Sequence, residues 1–198
     1  MTDSRVAAVE RKTRETDISL NINLDGSGKS DINCPVKFLS HMLELFAKHG
    51  LFDLKCNIQG DIDVDYHHTM EDFGLVMGEA IAKAVGDKKG IRRYGSMILP
   101  MDETLVLVAL DLSGRPCLVY DVNPPAAYIK DIDVQLFHEF FQALSVKAGM
   151  NLHIKMFASS EVHHLFEAIF KAFARALDEA TSIDPRIAGV IPSTKGCL

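Results

Sequence analysis

Four cysteines, Cys34, Cys56, Cys117 and Cys197, are all that 198 residues hold, and none stands in a C-x-x-C pair. That spacing indicates neither a zinc knuckle nor a disulfide framework, and the four read as reduced thiols. Long apolar runs are missing too: the longest clean stretch, Thr104 to Leu110, falls far short of the ~20 residues a membrane span needs. The first fifteen residues carry Asp3, Arg5, Glu10, Arg11, Lys12, Arg14 and Glu15. They leave no room for the apolar centre of a signal peptide, so the expected location is the cytoplasm. Cations are not in excess either: 21 Lys+Arg against 27 Asp+Glu give a net charge of -6. A broad nucleic-acid surface is thereby excluded, and any phosphate must be met by a local cluster. With 47% hydrophobic and 24% charged residues the composition is that of a soluble globular protein. Its length allows one domain or two small ones, enough to bury a core without disulfides.

Histidine is where the sequence speaks. Of eight, four occur as the adjacent pairs His67-His68 and His163-His164, and each pair opens an H-H-x-x-E pattern, with Glu71 in the first copy and Glu167 in the second. The surrounding order of elements repeats as well. Amphipathic helices are expected over Val36 to His49 and Asp133 to Ala148, contributing His41 and His138, each stopped by a glycine, Gly50 or Gly149, at the C′ position. Alternating strands follow, Leu51 to Gln59 and Met150 to Phe157, and then the helices that start with the histidine pairs, the second over Val162 to Ala180. Strand-like runs at Asp17 to Leu24, Thr104 to Leu110 and Cys117 to Val122 precede them. Each half therefore reads β-β-β-α-β-α, an α+β chain made of two duplicated halves, with helices packed between sheets or against neighbours. The join falls near Gly86 to Gly95, giving residues 1–90, residues 91–180 and a tail over 181–198.

On a helix of about 100° per residue, Glu71 lies about 40° round from His67 while His68 lies about 100° away. The carboxylate sits between two diverging imidazoles, and adjacent histidines point to different ions. A lone histidine is ordinarily a hydrogen-bonded, partly buried side chain; duplication of the whole constellation reverses that. Mixed imidazole and carboxylate donors suit Mn, Fe, Co or Zn. Two decoys fail on their own spacing. Gly26-Ser-Gly-Lys-Ser30 lacks the first glycine of a phosphate-binding loop, since that place holds Asn23, and reads as a hairpin turn. Asp61-Ile-Asp63-Val-Asp65 lacks the glycine and glutamate of a calcium loop, since Tyr66 and Asp72 stand there, and reads as acids serving the next helix N-terminus or supporting the histidines. Arg92, Arg93, Arg115, Lys171 and Lys195 each read alone as solvated cations, and Pro192-Ser-Thr-Lys-Gly196 offers hydroxyls, N–H groups and one cation for a phosphate. A dimetal hydrolase or oxidase is the rival enzyme reading of such duplicated His and Glu.

Taken with Phe38-Leu-Ser-His-Met42, Gly60-Asp-Ile-Asp-Val-Asp65, Pro100-Met-Asp-Glu103 and Asp111-Leu-Ser-Gly-Arg-Pro116, these motifs resemble one family over nearly the whole chain, imidazoleglycerol-phosphate dehydratase of histidine biosynthesis. The resemblance implies a fold similar to the second domain of ribosomal protein S5, with helices against four-stranded sheets. It also implies a homo-oligomer of 24 subunits with sites between them. By the same resemblance His41, His68, His163 and Glu167 would hold one manganese, and His67, Glu71, His138 and His164 a second. Glu15 would be the acid/base glutamate, with Glu44 and His49 beside the substrate. Arg93, Arg115, Lys171, Ser193, Thr194 and Lys195 would bind its phosphate. The implied reaction takes water from D-erythro-imidazole glycerol phosphate to give imidazole acetol phosphate, by way of a metal-bound imidazolate, because the hydrogen lost from carbon has no adjacent carbonyl to acidify it. Ser40 and Glu161 depart from the family's usual Asp and Asn, which bears on how neighbouring ligands are oriented.

Overall fold

The computed structural model describes residues 5–198. Its first half runs β1 (Val6–Lys12), β2 (Thr16–Asn23), β3 (Ser30–Asn33), α1 (Lys37–Gly50), β4 (Asp53–Gly60) and α2 (His67–Val85). Its second runs β5 (Tyr94–Met101), β6 (Thr104–Asp111), β7 (Cys117–Asp121), a hairpin β8 (Tyr128–Ile129) and β9 (Ile132–Asp133), α3 (Leu136–Ala148), β10 (Asn151–Ala158) and α4 (Val162–Thr181). The two four-stranded sheets have the same order, β1-β2-β4-β3 and β5-β6-β10-β7, with the last strand parallel to its neighbour in each. The duplication read from the histidine motifs is thus a duplication of topology. No described helix is long and apolar enough to cross a membrane.

Three local readings need correction. Gly26 to Ser30 is no hairpin: β2 and β3 flank β4 on opposite sides, and the loop between them is tied down by the Asp53 carboxylate, which accepts N–H bonds from Ser27 and Lys29 at 2.8 and 3.0 Å. The left-handed residue closing α1 is Leu51, at φ 57°, not Gly50. Gly50 is needed instead for space, since a Cβ there would lie 2.4 Å from the Phe52 ring and 3.2 Å from the Ala174 carbonyl of α4. The third correction concerns the helix expected from Asp133, which begins at Leu136 because Ile132–Asp133 is spent as a strand of the inserted hairpin.

Each sheet buries one face beneath helices and leaves the other outside, so inward positions alternate along every strand. In β2 these are Ile18, Leu20 and Ile22; in β6 they are Val106, Val108 and Leu110. The helices cross-pack between halves, α1 against α4 and α2 against α3. Helix α1 is amphipathic at the helical period through Leu39, Met42, Leu43 and Phe46, all fully buried, with Lys48 and His49 at its C-terminal end where cations meet the helix dipole favourably. Phenylalanines weld the four helices into one core: Phe46 stacks on Phe173, Phe73 on Phe140, and Phe137 on Phe166 at 4.2 Å. Cross-packing rather than the chain's own order therefore decides which histidines meet.

Candidate active site

Helix α1 brings His41 and helix α4 brings His163 and Glu167 to one place. Glu167 Oε2 lies 3.4 Å from His41 Nε2 and 3.3 Å from His163 Nε2, and the two imidazole rings are 5.7 Å apart. One donor atom from each residue falls within 4.8 Å of the others, a spacing that suits a common cation. Phe38, one turn before His41, meets the His163 ring edge-on at 5.1 Å and holds its orientation. On the other side of the carboxylate Lys171 Nζ approaches Oε1 at 2.5 Å. Burial works against the charge on Glu167, but Lys171 and then His41 outweigh it and hold the carboxyl below its ordinary range. His49 shifts downward through burial first, then through the charges of Lys171 and Arg175.

Adjacent imidazoles do diverge: the rings of His67 and His68 stand at 83° to each other and those of His163 and His164 at 88°. His68, expected with His41, His163 and Glu167, is not among them within one chain. Its Nδ1 meets Asp61 Oδ2 at 3.0 Å, and its Nε2 is 3.9 Å from Glu15 Oε1. The hydrogen bond it donates to Asp61, followed by the charge of Glu15, raises its pKa. His164 likewise faces away from its pair and meets Glu103 at 3.2 Å, which raises its pKa. Of the other expected donors, His67 Nε2 and Glu71 Oε2 are 3.8 Å apart on α2, while His138 sits on the neighbouring α3 with its Nδ1 at 3.1 Å from Glu139. Glu44 is exposed on α1.

The acids between β4 and α2 have separate tasks. Asp65 accepts the His67 N–H at 2.7 Å just ahead of α2, and Asp61 orients His68. Glu161 caps α4 by accepting the His164 N–H at 2.7 Å. Ser40 turns inward, with its hydroxyl donating at 3.4 Å to the Cys34 and Val36 carbonyls.

Five of the six expected phosphate residues share one cavity of about 560 Å³, lined by Arg93, Arg115, Ser193, Thr194 and Lys195. Lys171 is not one of its walls; its contact is Glu167. Arg93, held at φ 74°, pairs with Asp111 through Nε at 2.7 Å and Nη2 at 3.1 Å, and its Nη1 donates to the Pro192 carbonyl at 2.8 Å, so it anchors the tail that forms the cavity.

The imidazoleglycerol-phosphate dehydratase family model matches residues 34–177. An imidazoleglycerol-phosphate dehydratase of Geobacter metallireducens is 56% identical over 98% of this chain and 100% of its own length, and that of Bacillus subtilis is 54% identical over the same shares. The chain belongs to the imidazoleglycerol-phosphate dehydratase family. Solved structures agree: the Staphylococcus aureus dehydratase superposes with a TM-score of 0.82 at 38% identity, covering 90% of this chain and 99% of that one. The Pyrococcus furiosus dehydratase gives 0.83 at 35% identity over 96% and 100%. Membership makes the chain a lyase of histidine biosynthesis and sets aside the hydrolase or oxidase reading. For a dehydratase, the residues that sequence reasoning left without a role are Asp102 and Glu103, which join His164 in a second group of donors within 4.8 Å. The available signal was the Pro100-Met-Asp-Glu103 motif at a strand turn, where Asp102 is forced to φ 48°.

Proposed function

We propose that the chain dehydrates D-erythro-imidazole glycerol phosphate to imidazole acetol phosphate at sites completed between subunits, each using two manganese ions, in a cytoplasmic homo-oligomer of 24 chains. The observation that carries the reading is the convergence of His41, His163 and Glu167 on one point with their fourth expected partner, His68, directed elsewhere. Two imidazoles and an anionic oxygen at about half exposure or less are a donor set fit for manganese, and they leave room for a ligand from outside. A second set would draw on His67, Glu71, His138 and His164. When bound there, manganese supplies Lewis acidity toward the substrate's imidazole.

The chain's own residues do the rest. The cavity of Arg93, Arg115, Ser193, Thr194 and Lys195 takes the phosphate and fixes the glycerol side chain, so that the carbon losing hydrogen and the departing hydroxyl keep one orientation. Glu15, with Oε1 near His68, carries a proton between the substrate carbon and the leaving hydroxyl, and the resulting enol becomes the ketone. Burial and the charges of Lys171 and Arg175 lower the His49 pKa, and Glu44 lies on the same helix.

Assembly has its own support. The outer face of the first sheet is mostly polar, with Glu10, Ser19, Asn21, Lys55 and Asn57, whereas that of the second carries Ile98, Leu105, Leu107 and Phe157 beside Ser96, His153 and Lys155, with Ile98 57% and Phe157 50% exposed. Exposed apolar side chains grouped on a sheet face in this way are suited to cover by another copy. Metal analysis coupled to an assay of imidazole acetol phosphate formation tests the reading. Turnover proportional to bound manganese is expected, and full turnover by metal-free protein would overturn it.

A further inference from the structure

Helix α2 carries a buried carboxylate that its duplicate lacks. Asp72 follows Glu71, whereas Ala168 follows Glu167 and is fully buried in α4. The fold itself therefore packs this position without a charge. A carboxylate taken out of water needs partners to be tolerated, and those of Asp72 all belong to the turn between β1 and β2 or its approach. Thr16, itself buried, donates its hydroxyl to Asp72 Oδ2 at 2.5 Å, and Arg11 Nε stands 2.9 Å from Oδ1.

From Thr16 the network continues through the turn. The two hydroxyls of Thr13 and Thr16 are 3.2 Å apart, and since Thr16 donates to Asp72 it accepts from Thr13. Thr13 Oγ1 in turn accepts the N–H groups of Glu15 and Thr16 at 3.0 and 2.9 Å. The Glu15 carbonyl accepts the N–H of Asp61, whose carboxylate holds His68. The Glu15 backbone is thus tied to α2 by one chain of bonds and to His68 by another. The corresponding β5–β6 turn closes with only Asp102 and Glu103 between the paired residues Met101 and Thr104, and the α4 residue that matches Asp72 is Ala168.

We propose that Asp72 and Thr16 are positioning residues that set the place of the Glu15 carboxylate relative to His68, and that this is why the duplication is broken at residue 72. The proposal rests on Glu15 being the acid/base group. It acts through geometry, since a reacting group displaced by about 1 Å can cost on the order of a hundredfold in rate.

The test uses the full-length, manganese-loaded protein. Thr16→Val keeps the shape and removes the hydroxyl. Its kcat is expected to fall about tenfold to a hundredfold, with KM and manganese content changed by no more than about twofold. Thr16→Ser should restore most of the rate. Amide hydrogen exchange is the independent readout: the N–H groups of Glu15 and Thr16 should lose protection in Thr16→Val and keep it in Thr16→Ser. Thr13→Ala, at the rim of the same network, gives the same pattern should Thr16→Val not fold. Wild-type kcat with those amides still protected overturns the proposal, and so does a loss of rate that only tracks lost manganese. Glu15→Gln separates the two levels. If it is impaired while the threonine variants run at full rate, the positioning role falls alone; if it turns over normally, the acid/base reading falls and the positioning role with it.

Discussion

Glu167→Gln changes one charge and almost no volume, at the residue on which the first donor group converges. In the wild type one oxygen faces Lys171 at 2.5 Å while the other is shared between His41 and His163 at 3.4 and 3.3 Å. The side chains of Glu167 and Lys171 are 13% and 18% exposed, so water replaces little of what the carboxylate supplied. A hydrogen bond to a charged group contributes about 1.5–3 kcal/mol, and a cation held by the same oxygen loses at least as much. At about 1.4 kcal/mol per factor of ten, manganese should bind roughly ten- to a hundredfold more weakly, and turnover at limiting manganese should fall in step. Titrating metal into stripped protein, with bound manganese and imidazole acetol phosphate both measured, gives the two midpoints directly. Lys171→Met is the control: it breaks the same ion pair but leaves the carboxylate, and manganese binding should survive it. A glutamine variant with the wild-type manganese midpoint and full turnover would remove Glu167 from the ligand set.

Alanine at Arg93, Arg115 or Lys195 should mainly raise KM, because each cation acts at a distance from the breaking bond; unchanged substrate affinity in all three would place the phosphate elsewhere. If the proposed sites are shared between chains, stripping manganese with a chelator should shrink the assembly and restoring it should rebuild it, because a metal bridging chains is linked to association. Light scattering that finds the assembly intact at low concentration after complete removal would contradict shared sites. Gly74→Ala would put a Cβ 2.5 Å from the Phe140 carbonyl and force α2 and α3 apart. Strain of this kind costs about 1–3 kcal/mol, read as a lower Tm, and manganese lost from the His67 and Glu71 side before the His41 side.

The duplicated topology was legible because its signals are local: a helical period, a two-residue alternation and a motif repeated with its helix. The hairpin β8–β9 was hidden because two-residue strands after Pro124-Pro125 carry no alternation to read. Leu51 concealed the true end of α1, since a neighbouring glycine has the residue type the left-handed position prefers while its real role is contact with α4. At the site, spacing along a helix foretold that His163 and Glu167 share a face. That His41 joins them depends on α1 packing against the helix of the other half, which no periodicity encodes. His68 shows the reverse limit: family likeness grouped it with His41, yet within one chain it answers to Asp61 and Glu15.

The crossing of helices between halves also says something about origins. His41 comes from the first half and its partners His163 and Glu167 from the second, while His138 of the second half lies on the helix packed against that of His67 and Glu71 of the first. A single half, free in solution, would own the same kinds of side chain but could gather them only by embracing a twin. Two identical twins would have to make two identical sites, and any improvement to one would be imposed on the other. Joined in one polypeptide, the two halves are able to differ, and Asp72 standing where the second half has Ala168 is a mark of that freedom.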